Sequence, residues 1–362
     1  MRHYSIWTRQ YAKRAEQIAG ELSEYKRQID LIMEKLNDAA IIHEIDEDRI
    51  GNSPAISDLG MCFVDGGEGL RELIGAGLYF IRASGLLMGT GKSTGDISNP
   101  GSMGDNLDRG SRFVRDIDMG VIDYDEHTKD RVEMLRGAME FDVALKCAEN
   151  YDLDYIFLDG SLYVDARKRP IQCREYDIYR KKFVRLLKFC HDRKIHIVGV
   201  SEDSESRLFT NYISLRYNIN FPRFMTDSAV LSMLAKGRAI YRSADFTPQS
   251  RFETDDKLTP TLISSFPTVY VKPTALGNPM RVDVPDWEDD IDRVVEIIVL
   301  LSRGSKRYGY PLPLYLSHLD ARIKKEHTEW ITSQLIKYVL KNDYDCYSAF
   351  LKDKRKAMRP ER

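Results

Sequence analysis

The chain has 362 residues, 43% hydrophobic and 30% charged, the composition of a folded globular protein, which excludes wholesale disorder. Its 54 basic and 56 acidic residues leave a net charge of −2, so no global positive field attracts a polyanion, and a nucleic-acid surface has to be a local patch. Five scattered cysteines (Cys62, Cys147, Cys173, Cys190, Cys346) form no CxxC pair, which fits reduced thiols in the cytoplasm and argues against a disulfide framework or a zinc site.

Arg2, Arg9, Lys13 and Arg14 have no apolar segment behind them, so no signal peptide is expected. Trp7 to Ala40 reads as one amphipathic helix, with Ile18, Leu22, Tyr25, Ile29 and Ile32 at three- and four-residue steps. That stripe either packs on its own domain or pairs with a second copy of the chain.

Strands are expected at Leu59 to Asp65, Leu73 to Leu87 and Phe113 to Tyr124, with a Gly/Ser/Thr/Asn-rich loop from Gly89 to Asn106. Within that loop, Met88-Gly89-Thr90-Gly91-Lys92-Ser93 mimics a phosphate-binding loop. The required first glycine falls on Leu86, however, and Thr-Gly-Asp-Ile-Ser-Asn-Pro-Gly after Ser93 cannot open a helix. His127 to Asn150 is expected to be helical, followed by a strand ending at Asp159, a helix from Arg174 to Arg193 and the strand Ile195 to Val200. Beyond residue 200 the chain reads as mainly helical, broken by Pro and Gly from Pro260 to Pro285, with helices at Trp287 to Arg303 and Leu316 to Leu340. The most apolar segment, Val294 to Leu301, is interrupted by Glu296 and is too short to span a bilayer, so no membrane association is expected.

Three strands, then helix, strand, helix, strand is the element order of a ribonuclease H-like α/β fold: a mixed sheet with flanking helices, a long N-terminal helix and a C-terminal helical segment. The expected divisions are an N-terminal helical segment over 1–48, a main domain over 58–325 with its ribonuclease H-like core at about 58–201, and a C-terminal helix and basic tail over 326–362. Two apolar runs, Met61-Cys62-Phe63-Val64 and Tyr155-Ile156-Phe157-Leu158, each run into Asp-Gly. As buried neighbouring strands they bring Asp65 and Asp159 together at one sheet edge, where two carboxylates repel unless a proton or a cation intervenes. A third ligand is expected from the helix between them. Glu133 and Glu140 share one helix face, and either can also be an ordinary solvated residue. Oxygen ligands of this kind select Mg²⁺ or Mn²⁺.

Taken in order, Asp65-Gly66, Glu140, Leu158-Asp159-Gly160-Ser161-Leu162, and Tyr308-Gly309-Tyr310-Pro311 with His318 resemble the NurA nuclease family over about Leu59 to Arg322. The resemblance implies a manganese-dependent nuclease acting on DNA 5′ ends and single strands. It further implies a homodimer that works with the HerA hexameric translocase in double-strand-break end resection. Carried onto this chain, the family's metal-binding acids fall on Asp65, Glu140 and Asp159, and its late tyrosine and histidine on Tyr310 and His318. A histidine there is suited to contact a phosphate or move a proton, whereas Tyr310 can equally be a core aromatic. Two departures stand out. Gly67 occupies a place where the family has serine, and Ser201-Glu202-Asp203 follows Val200 where many members carry a lysine. Glu202 supports an alternative in which a catalytically weakened subunit docks on the translocase and stimulates it. Arg167-Lys168-Arg169 is the basic segment expected along the DNA path, while Lys352 to Lys356 reads as a solvated tail.

Overall fold

The computed structural model describes residues 2–38, 42–45, 50, 56–73, 76–89, 112–162, 172–202, 206–234, 239–242, 265–304 and 308–342. Among these, nine strands form one sheet in the order β1-β7-β8-β9-β6-β5-β2-β3-β4. The strands are β1 (Ile42–Glu44), β2 (Met61–Glu72), β3 (Ala76–Met88), β4 (Arg112–Asp123), β5 (Tyr155–Asp159), β6 (His196–Ser201), β7 (Ala239–Arg242), β8 (Thr268–Lys272) and β9 (Met280–Asp283). Only the central pairs, β2 with β5 and β5 with β6, are parallel. Strands β2, β3 and β4 form an antiparallel meander. The helices are α1 (Arg2–Asp38), α2 (Thr128–Asn150), α3 (Arg174–Arg193), α4 (Leu208–Tyr217), α5 (Asp227–Leu234), α6 (Ile291–Ser302), α7 (Leu312–Ala321) and α8 (Lys325–Asn342).

Period-two alternation in β2 and β5 divides the core between two layers. Cys62, Val64, Ile156 and Leu158 pack with α2 and α3, while Met61, Phe63, Tyr155 and Phe157 pack with α6 and α7. Phe63 and Phe157 are register partners, and their rings stack at 5.0 Å. Each is fully buried, a contribution of roughly 1.5–3 kcal/mol. Slipping either strand by one residue would turn its aromatic and its aspartate into the wrong layer, so this pair fixes the register that the acids depend on.

Several sequence expectations need correction. Strand β2 does not stop at Asp65: it runs on to Glu72 as the partner of β3, and only its pairing with β5 ends, at Val64 opposite Leu158. Gly66 and Gly67, which read as the end of the strand, are sites of close packing instead, as is Gly69. A Cβ on Gly67 would lie 2.2 Å from the Ala321 carbonyl oxygen at the end of α7. Strand β3 begins at Ala76 rather than Leu73.

The segment after residue 200 is not mainly helical, because β7, β8 and β9 extend the sheet beyond β6. Every residue of β8 and β9 is buried, including Lys272, Arg281 and Asp283. Those charges made the strands look like loop. The expected helix from Leu316 to Leu340 is two helices, α7 and α8, because the backbone at Arg322 turns to φ −57°, ψ 125°. The turn seats Ile323 against Leu73, Leu78 and Phe80. Helix α6 starts at Ile291, capped by the Asp290 side chain, four residues later than expected.

On α1, Ile29 is buried among Phe209, Ile213, Phe221 and Tyr270, with Tyr25 beside Phe221, whereas Ile18 and Leu22 are exposed. The stripe is therefore split: one part packs on the chain's own core and the other faces water. Among the described residues, no helix is long and apolar enough to cross a membrane.

Candidate metal centre

Asp65 and Asp159 follow Phe63 and Phe157 by two residues each, so both carboxylates emerge on the layer formed by α6 and α7. Helix α7 lies on that layer and is anchored by the Ser317 hydroxyl, which donates to the Phe63 carbonyl oxygen at 2.7 Å. One residue on, His318 Nδ1 lies 2.8 Å from Asp65 Oδ2, while the Gly66 N–H donates to Asp65 Oδ1 at 2.6 Å. The Tyr310 hydroxyl donates to Asp159 Oδ1 at 2.8 Å. Asp65, Asp159 and His318 each bring one ligand atom to within 4.8 Å of the others. His318 is 49% exposed on its side chain, so this group opens to solvent on the imidazole side.

Glu140 reaches the centre from the opposite layer. Helix α2 crosses Gly66 so closely that a Cβ there would stand 2.2 Å from Glu140 Oε1. The three acids therefore do not meet at one tight point from one side, as the sequence led us to expect. The close group is Asp65, Asp159 and His318, with buried Glu140 coupled to both aspartates through its charge. Glu133 is half-exposed and acts on Arg136, so of the two helix candidates it is Glu140 that is buried against the centre.

The electrostatics are those of crowded acids. Burial pushes the Glu140 carboxyl up to about 8, with Asp65 and Asp159 adding to the rise and Arg136 opposing it. Asp159 is pushed up to about 7 by burial and then by Asp65, against the hydrogen bond from Tyr310. Asp65 is raised by burial, with the Gly66 N–H, Arg136 and His318 pulling it back. Burial, with Asp159 next, lifts the Tyr310 hydroxyl far above its ordinary range, so it remains a proton donor to Asp159.

Among the described residues nothing donates to Asp159 Oδ2. An unclaimed carboxylate oxygen beside a second aspartate and an imidazole fits a hard divalent cation, whose charge would offset the repulsion that raises these acids.

Arg136 was missed in the sequence. It lies one turn before Glu140 on α2. Its Nη1 donates to Glu140 Oε1 at 2.5 Å, and its Nε lies 3.3 Å from Glu68 Oε2. Asp320 was also missed. It accepts two hydrogen bonds from Arg115, at 2.7 and 2.8 Å, and one from Ser84, the register partner of Asp65, tying α7 across β3 and β4. Glu202 accepts a hydrogen bond from the Tyr308 hydroxyl and so sits beside the Tyr310 segment. The basic segment Arg167, Lys168 and Arg169 lies outside the described residues, as does the Lys352 to Lys356 tail.

The fold and this cluster define a mixed α/β protein with a carboxylate–imidazole centre, open to solvent on the imidazole side, at the junction of two parallel strands. The family model for the NurA domain matches residues 59–323, and the chain belongs to the NurA nuclease family. Among solved structures, the NurA nuclease from Sulfolobus solfataricus is 19% identical with a TM-score of 0.59, covering 90% of this chain and 95% of that one. A NurA structure bound to dAMP and manganese is 12% identical with a TM-score of 0.52, covering 86% of this chain and 94% of that one. At these identities the likeness shows the shared fold. No curated protein sequence matches the chain significantly.

Proposed function

We propose that the chain is a divalent-metal-dependent deoxyribonuclease, using Mn²⁺ or Mg²⁺, with Asp65, Asp159 and Glu140 as its metal-binding acids. The observation that carries this reading is the placement of Asp65 and Asp159 just past the end of the β2–β5 parallel pairing, with ligand atoms of both and of His318 within 4.8 Å of one another. The presence of manganese and dAMP in a NurA structure of the same fold supports it. When bound, the cation supplies positive charge on the phosphate and lowers the cost of forming the attacking hydroxide.

The chain's own residues do the rest. Asp65 is held by the Gly66 N–H and by His318, so its carboxylate keeps one orientation. Tyr310 occupies Asp159 Oδ1 and leaves Oδ2 for the cation. His318 holds Asp65 through Nδ1 and presents its half-exposed ring to solvent, which places Nε2 to hand a proton to the departing oxygen. The β2–β6 unit is read as ribonuclease H-like, with Arg167, Lys168 and Arg169 along the DNA path.

Beyond the chemistry, we assign the chain to end resection in the cytoplasm, as a homodimer fed by a HerA-type translocase. This assignment rests on family membership. The exposed stretch of α1 with Ile18 and Leu22 is a candidate pairing surface. A second reading, a weakened subunit that stimulates the translocase, is favoured by Glu202, an acid at the end of β6 next to the centre. The deciding experiment incubates 5′-labelled single-stranded and linear duplex DNA with the protein and Mn²⁺. Cleavage that disappears in Asp65→Ala and Asp159→Ala supports the enzyme. An inert wild type that accelerates a translocase supports the second reading.

A further inference from the structure

Building on the nuclease reading, we infer that Arg136 is the residue that grips the substrate's phosphodiester. A nucleic-acid strand brings more negative charge to a centre that already holds Asp65, Asp159, Glu140 and Glu68. The β6 end supplies no positive charge to balance it, because Glu202 stands there, engaged by Tyr308. The guanidinium that acts on all three central acids is that of Arg136.

The manner in which Arg136 is held leaves part of it free. Nη1 donates to Glu140 at 2.5 Å and to the Gly66 carbonyl oxygen at 3.4 Å, and Nε faces Glu68 at 3.3 Å. Two carboxylates thus fix the plane of the guanidinium. Among the described residues nothing accepts from Nη2. The side chain is 23% exposed, so the group is mostly desolvated without being sealed from solvent. Each fork of the guanidinium, Nε/Nη2 and Nη1/Nη2, has one member engaged, so Nη2 is the donor left for a single phosphate oxygen, and desolvation strengthens that contact. Gly66 makes the arrangement possible, since a Cβ there would lie 2.8 Å from Arg136 Cγ. The ligand class is a backbone phosphodiester, recognised without reference to base sequence.

The test uses the full chain with Arg136→Gln and Arg136→Lys. Affinity for a labelled single strand is measured in Ca²⁺ across a salt series, Mn²⁺ affinity by electron paramagnetic resonance, and cleavage in Mn²⁺. Arg136→Gln is expected to bind DNA at least tenfold more weakly, with a salt slope smaller by about 0.7, the value for one phosphate contact on a single strand. Its Mn²⁺ affinity should hold or rise, because a like charge has been removed. Arg136→Lys should recover the slope and only part of the affinity. Unchanged DNA affinity and slope in Arg136→Gln overturn the inference, and a fall in Mn²⁺ affinity alone makes Arg136 merely a brace for Glu140. Wild-type protein that fails to cleave in Mn²⁺ sinks the nuclease reading instead, so the two failures are distinguishable.

Discussion

Two aspartates on one sheet have opposite surroundings. Asp283 on β9 is fully buried and saturated with donors: Thr268 Oγ1 at 2.7 Å and Arg281 Nε at 2.8 Å on one oxygen, Ser161 Oγ at 2.5 Å on the other. Among the described residues Asp159 on β5 has one hydrogen-bond donor, Tyr310, and it faces another acid, which together with burial drives its carboxyl up to about 7. Asp283 is fully buried and Asp159 half-buried, so the more deeply buried acid is not the one whose carboxyl is driven up. What separates them is whether the protein itself neutralises the charge. Asp283 braces structure: through Ser161 it secures the turn after Asp159, where Gly160 sits at φ +114°. At Asp159 the charges of Arg136 and His318 do not offset burial and the neighbouring Asp65.

The contrast can be broken by substitution. The largest expected effect is on catalysis: Asp65→Ala or Asp159→Ala should lower cleavage in Mn²⁺ by about a thousandfold or more, with circular dichroism unchanged. Asp283→Ala should act on the fold instead. It strips a buried arginine of its carboxylate and should cost about 3–5 kcal/mol in urea denaturation. A loss near zero there would show that the two aspartates differ less than the geometry says.

Next comes the sign of the pH dependence in metal-free protein. The folded-state pKa values of Asp159, about 7, and Glu140, about 8, lie above ordinary carboxylate values. The native state therefore binds more protons than the unfolded chain, and stability falls as pH rises from about 4 to about 8, then levels off. Asp159→Asn should remove part of that slope and be more stable than wild type at pH 8, by on the order of 1–3 kcal/mol, with the advantage fading near pH 4.

The smallest effect concerns His196, raised by its hydrogen bond to Glu288 at 2.6 Å. Its contribution is complete below the unfolded pKa near 6.5 and is lost as pH rises through the higher folded value. Because the histidine is more than a third exposed, His196→Ala should cost only a few tenths of a kcal/mol at pH 6 and less at pH 9. Equal cost at both pH values would assign the loss to packing against Tyr155.

The central strands were legible in the sequence because Met61 to Val64 and Tyr155 to Leu158 are uninterrupted apolar runs, and an acid after such a run has few structural explanations. Strands β8 and β9 were hidden because Lys272, Arg281 and Asp283 are charges buried within the sheet, Arg281 and Asp283 paired with each other along β9. The break at Arg322 carries no local signal at all, since the docking of Ile323 on β3 decides it. Arg136 escaped for the same reason. A charged helix residue reads as solvated until the glycine that lets it approach the sheet is located on a neighbouring strand.

The most direct test of the account is thermal melting of wild type and Asp159→Asn at pH 8, with and without Mn²⁺. Without metal, the variant should melt higher than wild type. With saturating Mn²⁺, wild type should gain several degrees and overtake the variant, which should gain little. A variant less stable than wild type without metal, or equal Mn²⁺ gains in both proteins, would contradict the claim that these acids await a cation.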